Sequence, residues 1–396
     1  MNIMLFTDIP PCKNFTAGIV LNIMCGFLLE EGHNVCCFSV KHPEVDAVIP
    51  PDKLERMKFR TVTKPRENWG TTFLRDAASF VGNNAAAFFR LPVISRQAAA
   101  FARENHVDLI WGVVQGQTMI KLVEPTARRA GVPYVVQVWD PPEWWLGENK
   151  FDRLTYHSVM RAFGKLVKNS KCCIAASWAM AEDYKARYGC AKCEPVILGF
   201  SPEMPDAAGR KDPHDFVIAL SGQIYASSEF KALVAALGQM NWNYHGRRIV
   251  LRLYGRYYEL HFSKEVNIEL RGWVEQEKLL PELRTADLLY CPYWFDPGFE
   301  RPCRLSFPSK LSTYLKTGVP VLFHGPEYAS PRIFLEQNDA AYICGSLNPA
   351  FIAGDIRRIM DDKNRDAVGQ RGFQAFSRSL TLDAMRESFL KAIEEK

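Results

Sequence analysis

The sequence predicts an α/β protein built from two similar halves. Short runs of β-branched and aromatic residues alternate with helical stretches along nearly the whole chain, which is how βαβ units with parallel sheets read. The alternation pauses at residues 199–213, GFSPEMPDAAGRKDP, where Gly, Pro and charge gather without an apolar period. The 396 residues suit two or three domains, at roughly 150 residues each.

In the first half, residues 2–7 read as a buried strand, 18–31 as a helix stopped by Gly32, and 33–38 as the next strand. Strands follow at 108–111, 134–138 and 172–175, with helices near 118–129, 154–168 and 179–188. In the second half, strands are expected at 216–220, 249–254, 288–291, 319–323 and 341–344. Helices near 230–240, 276–285, 310–316 and 352–360 separate them. The expected organisation is a doubly wound domain over 1–198, a linker over 199–213, a second domain over 214–376, and a terminal segment 377–396. Residues 382–395 place Met385, Phe389, Ala392 and Ile393 on one helical face, which must dock.

Composition excludes several classes. Hydrophobic residues at 47% and charged residues at 23% argue against disorder or a fibrous repeat. The net charge of +5 is spread along the chain, so no nucleic-acid partner is expected. Eleven cysteines are too sparse and too odd in number for a disulfide framework, which favours a reducing cytoplasm. No basic leader and no long apolar span is evident, so cytosolic residence is expected. Cys190 and Cys193 form a CxxC with no partner pair, read as idle thiols rather than a metal site. Residues 64–90 mix Lys64, Arg66 and Arg75 with Trp69, Phe73, Leu74, Phe80, Phe88 and Phe89. This reads as a core-facing amphipathic helix or as peripheral contact with the inner membrane surface.

Candidate chemistry sits just after the strands, because open α/β sheets bind ligands at their carboxyl ends. After residue 220 comes SGQIYASS, whose Gly222, Gln223 and Tyr225 form a turn able to offer backbone N–H groups to an anion. Gly255 follows the next strand in the same way. No GxGxxG and no GxxxxGK[ST] is present. The sharper signal is FPSKL followed by STYLKTGVPV: Pro308 suits a first helical turn and Gly318 the stop. Ser309 and Lys310 then fall at the N-terminus, where the helix dipole disfavours a cation unless an anion binds there. A phosphate would fit, with Arg304 upstream as a second cation. In the first half, Trp139 and Asp140 end a strand and lead into Pro141, Pro142, Glu143, Trp144 and Trp145, either a sugar platform or a rigid aromatic loop.

The PSKL…YL.TG.PVL pattern resembles the donor helix of GT-B glycosyltransferases, family 4 in particular. Gly272, Trp273 and Val274, with residues 279–292, resemble the stretch whose backbone receives the base. Residues 180–188 with 195–199 resemble the exit from the family's first domain. Thr16, Ala17 and Gly18 resemble its glycine loop, and Gly32, His33 and Val35 its "GH.V". The resemblance implies two Rossmann-like domains facing a central cleft, with the last helix crossing back to the first. It implies transfer of a sugar from a nucleotide-diphosphate donor, UDP- or GDP-linked before ADP-linked, to a glycan, lipid-linked or small-molecule acceptor. Retention of configuration and no metal or cofactor are implied as well. The residues implied are Lys310, Arg304 and Asp140 for catalysis, and Gly18, Trp139, Glu143 and Trp144 for the acceptor. For the donor they are Gly222, Gln223, Tyr225, Gly255, Gly272, Trp273, Val274, Ser309, Leu311 and Thr313.

The family's two glutamates are absent: their positions hold Leu305 and Thr313, and Asp296 or Glu300 are the nearby substitutes. Gln223 stands where an arginine is usual, with Lys231 displaced from the usual lysine. Alternatives are therefore a nucleotide-sugar epimerase, which needs an acid/base pair beside the sugar, and a non-catalytic nucleotide-sugar binding protein.

Overall fold

The computed structural model describes residues 1–13, 15–41, 54–67, 73–255 and 266–394. Contacts divide the chain into two units, 1–197 with 386–396, and 198–385.

The first unit holds a parallel sheet of β1 (Asn2–Thr7), β2 (Asn34–Lys41), β3 (Lys58–Thr63), β4 (Leu109–Val113), β5 (Tyr134–Val138), β6 (Cys173–Ala175) and β7 (Cys193–Pro195). Their spatial order is β3-β2-β1-β4-β5-β6-β7. Ile3 lies between Val35 and Leu109, so β1 is buried on both sides and reads as a continuous apolar run. The helices are α1 (Thr16–Glu30), α2 (Phe73–Glu104), α3 (Gly116–Ala130), α4 (Pro142–Glu148), α5 (Arg153–Asn169) and α6 (Trp178–Tyr188). Ser177 caps α6 by accepting from the Met180 N–H, and Gly189, at φ 66°, ends it in the left-handed region. The strand order reverses between β1 and β4, which makes their carboxyl ends this sheet's crevice.

The second unit repeats the scheme. Its strands are β8 (Asp215–Ser221), β9 (Asn243–Tyr244), β10 (Arg247–Tyr254), β11 (Ile268–Gly272), β12 (Leu288–Pro292), β13 (Val321–His324) and β14 (Tyr342–Cys344). The order β11-β10-β8-β12-β13-β14 is parallel, with β9 antiparallel to β10. Here the reversal falls between β8 and β12. The helices are α7 (Ser227–Gln239), α8 (Gln276–Leu283), α9 (Glu300–Leu305), α10 (Ser309–Lys316), α11 (Ser330–Gln337), α12 (Pro349–Asp361), α13 (Arg365–Ser379) and α14 (Leu382–Glu394). Phe216, Ile218 and Leu220 of β8, Leu251 of β10 and Leu233 and Leu237 of α7 pack into its core.

The connecting and terminal segments are held by specific contacts. Residues 199–213 are no free spacer: Lys316 donates to the Ser201 carbonyl, the Ala208 N–H donates to Pro281, and Phe200 bridges Thr381. Gly199 is needed there, since a Cβ would fall 2.1 Å from the Thr381 oxygen. The terminal helix starts at Leu382, after α13 has ended, and residues 386–396 group with the first unit. In that unit Phe389 packs its ring 4.9 Å from Trp111, and Arg386 reaches Glu30 and Glu31 at 2.7 Å. Glu395 and Trp69 lie outside the described residues, as do the side chains of Phe73, Leu74 and Arg75.

Candidate active site at the carboxyl ends of the strands

In the second unit two loops meet at the point where the strand order reverses. The loop after β8 begins with Gly222, whose φ of +81° needs glycine and whose N–H donates to Tyr254. The loop after β12 carries Tyr293, Trp294 and Phe295. Trp294 donates its indole N–H to the Tyr225 carbonyl at 3.0 Å, and Phe295 donates its N–H to the buried Glu229 carboxylate of α7 at 2.8 Å. Trp294 also stacks on Phe299 at 4.9 Å and packs 4.7 Å from Tyr225. The two loops are thereby clamped into one surface.

Helix α10 brings Lys310 to it. The helix starts one residue later than expected, with Pro308 extended as the cap and Ser309 first. Lys310 thus stands second in the helix, half-buried, donating to the Gln223 carbonyl at 3.0 Å and lying 4.3 Å over the Tyr225 ring. Burial pushes its ammonium down to about 8. A carbonyl and a ring face offset part of the lost hydration, but neither carries a formal charge. Tyr314, buried on α10, accepts from the Ser221 N–H at 2.7 Å and ties the helix to the end of β8.

The other donor-side residues are placed as follows. Ser309 is exposed and Leu311 is fully buried. Thr313 donates to the Ser309 carbonyl within the helix at 3.2 Å, and Leu305 is buried. Neither supplies the carboxylate of the missing glutamates. Arg304 is bound by Glu300 at 2.8 Å and lies 4.5 Å over Tyr328, while Asp296 accepts from the Gly298 N–H at 2.8 Å. Both substitute carboxylates are therefore already occupied. Gly255 donates to the Gly272 carbonyl, and Gly272 turns at φ +70° to leave Trp273 exposed and Val274 half-buried. His324, at the end of β13, is fully buried. Its Nε2 lies 2.7 Å from the Ser346 carbonyl and so carries the proton, leaving Nδ1 to accept from Tyr290.

The first unit's crevice is organised differently. Asp8, directly after β1, and Lys64, directly after β3, form a buried ion pair at 2.9 Å, and Lys64 also reaches Glu67 at 3.3 Å. Glu67 accepts from the Thr118 N–H at 2.7 Å in the first turn of α3. Lys64, expected as a surface cation, is thus interior. Burial raises Asp8, with Lys64 opposing; burial would lower Lys64, but its two carboxylate neighbours raise it overall. Residues 142–148, read as a loop, form α4. Trp139 and Asp140 precede it half-buried, and burial raises the Asp140 carboxyl. Glu143 is held by Arg187 of α6, and Trp144 is half-buried. Gly18 lies inside α1, where a Cβ would fall 2.2 Å from Cys12 Sγ, so it is a packing glycine. Cys190 and Cys193 are buried, as are the other cysteines, all of them free. Among the described residues no group of His, Cys, Asp or Glu could hold a metal ion, and no helix is long and apolar enough to cross a membrane.

Sequence reasoning missed Glu229, Trp294, Tyr314, Asp8 and Glu67. The available signal for Asp8 and Trp294 was their place just after strands that flank a reversal point.

No family model and no curated protein matches the chain. Solved structures do. Sucrose-phosphate synthase from Thermosynechococcus elongatus is similar over 98% of this chain and 96% of its own, with TM-score 0.67 and 14% identity. The α,α-trehalose 6-phosphate synthase of Burkholderia multivorans is similar over 99% and 98%, with TM-score 0.65 and 15% identity. HepE from Anabaena, in complex with UDP and glucose, is similar over 99% of each chain, with TM-score 0.63 and 14% identity. The fold is GT-B: two α/β domains with parallel sheets.

Proposed function

We propose that the protein is a glycosyltransferase that takes its sugar from a nucleotide-diphosphate donor bound at the second unit's reversal point. The observation that carries this is Lys310: a half-buried cation in the first turn of α10, held among the described residues by a carbonyl and a ring, at the carboxyl ends of β8 and β12. An anion is the missing counterpart, and a diphosphate arriving there would meet the helix N-terminus as well. HepE, with its bound UDP and glucose, supports a nucleotide sugar as that anion.

The resemblance to family 4 supports retention without a metal. Lys310, with the backbone N–H groups of Gln223 and Ser309, would stabilise the leaving diphosphate, whose own oxygen would take the acceptor's proton. UDP and GDP are proposed before ADP. Trp139, Asp140 and Trp144 are assigned to an acceptor that is a glycan, a lipid-linked sugar or a small molecule; a carboxyl raised by burial suits a proton-sharing contact with a hydroxyl. Eleven free, buried thiols support a reducing, cytoplasmic setting.

The non-catalytic reading has one observation in its favour. Thr313 and Leu305 supply no carboxylate where the family has them, and Glu300 is tied to Arg304. Thermal melts with UDP, GDP and ADP test the donor site, since a ligand of the folded state raises Tm with its concentration over Kd. Donor hydrolysis in the same samples separates an enzyme from a binder. No Tm shift with any of the three removes the donor site; a shift without turnover across an acceptor panel leaves a binding protein.

A further inference from the structure

Helix α2 carries an exposed apolar surface. Its buried side is apolar, with Leu91, Ile94, Ala98, Phe101 and Ala102 in the first unit's core. Its outward side is apolar too. Val81, Ala85, Phe89 and Val93 follow one another at four-residue spacing, so they line one face, and all four are exposed. Phe88 beside them is 75% exposed and Phe89 69%, their rings packed edge-on against each other at 5.1 Å. A helix apolar on both faces is ordinarily covered on both, and single exposed phenylalanines are unremarkable where a contiguous pair is not.

Along the stretch of α2 that carries this face the charged residues are arginines, with Asp76 and Glu104 only at its two ends and Glu104 paired with Arg60. Residues 77–103 contain Arg90, Arg96 and Arg103 and no aspartate or glutamate. Arg90 and Arg96 are exposed. Arg90 also shares a groove with Phe89 and Val93 on the helix and Val62 and Thr63 of β3. A second copy of the chain laid face to face across a two-fold axis would bring arginine against arginine. An anionic surface would instead receive the phenylalanines in its acyl boundary and the arginines at its headgroups.

We propose that the outward face of α2, centred on Phe88 and Phe89 with Arg90 and Arg96 at its rim, docks the protein on the surface of an anionic lipid bilayer. The helix lies along the surface; it does not span it. The phenylalanines set the depth and the arginines the lipid preference. This surface belongs to the first unit and Lys310 to the second, and the proposal stands whether or not the protein transfers sugar.

Vesicle flotation at physiological salt tests it, with phosphatidylcholine alone and with phosphatidylcholine containing one third phosphatidylglycerol. The native chain is expected to float with the anionic vesicles and to bind neutral ones at least ~10-fold more weakly, since each arginine at the surface contributes roughly fivefold. F88S/F89S is expected to lose binding to both kinds of vesicle. R90E/R96E is expected to lose the anionic preference. Both pairs sit on the exposed face, so an unchanged Tm shows that the fold is intact. Equal weak binding to the two vesicles, or anionic binding that survives both variant pairs, overturns the proposal. So does a dimer in sedimentation equilibrium that F88S/F89S dissolves, which gives the face to a second copy instead.

Discussion

The carboxyl ends of the two sheets make the instructive comparison. In the first unit the charges there are closed on one another: Asp8 and Glu67 on Lys64, and Glu143 on Arg187. In the second unit the central cation, Lys310, has a carbonyl and a ring but no carboxylate partner among the described residues, while the carboxylates nearby are held by N–H groups or by Arg304. A buried charge with its counter-charge in place is architecture; one without it is poised for a ligand that brings the counter-charge.

The comparison breaks most visibly at Lys64. Lys64→Met leaves the buried Asp8 and the half-buried Glu67 without their cation, and is expected to cost about 3–5 kcal/mol in urea denaturation, the range for removing one member of a buried pair. UDP affinity should stay unchanged, and a variant as stable as the native chain would show that the triad is not structural. At Lys310 the pattern should invert. Lys310→Ala is expected to lower kcat/KM by at least ~10²-fold, as for loss of one electrostatic stabiliser, without lowering Tm. Near-normal turnover would remove Lys310 from the mechanism.

The pH dependence sharpens the same contrast. Lys310 titrates near 8 in the free protein, and a bound diphosphate would raise it. UDP binding should therefore be pH-independent below 8 and weaken above it by up to about tenfold per pH unit, as one proton is taken up on binding. The sign for folding is the reverse of a salt-bridged lysine. Below 8 the ammonium is charged in both states and its burial cost is present in full; stability rises as pH climbs from about 8 toward the unfolded value. Lys310→Arg, charged throughout, should flatten the binding profile, and a profile unchanged in that variant would assign the titration elsewhere.

Two smaller effects complete the series. Gly18→Ala forces a Cβ to within 2.2 Å of Cys12 Sγ and 2.8 Å of the Pro10 oxygen. It should destabilise by about 1–3 kcal/mol, as overpacking does, with no change in acceptor kinetics beyond that. Glu300→Gln removes an exposed (i, i+4) pair and should cost no more than about 0.5 kcal/mol. A fall in kcat/KM far beyond that loss would identify Glu300 as the stand-in for the absent family carboxylate.

What the sequence determined by itself was periodicity. Short, mostly apolar runs such as 2–7 and 134–138 read as strands buried on both faces, and they are found as β1 and β5 with those bounds. The alternation with helices was enough to predict two α/β domains, and a lysine just past Pro308 was legible as a cation out of place on its helix. The elements that escaped have weak periods. β3 is an edge strand exposed along most of its length, and α4 begins in a Pro-Pro pair that reads as a turn.

Only the tertiary structure decided which charges meet. Asp8 and Lys64 are 56 positions apart, and Lys310 and Gln223 are 87 apart. Strand order alone carries each pair to one sheet end. The same holds for α2, whose two apolar sides look alike in sequence; which of them the core covers depends on where the sheet lies. Local pattern is set by the period of a segment, whereas pairing and exposure depend on long-range packing that no single segment encodes.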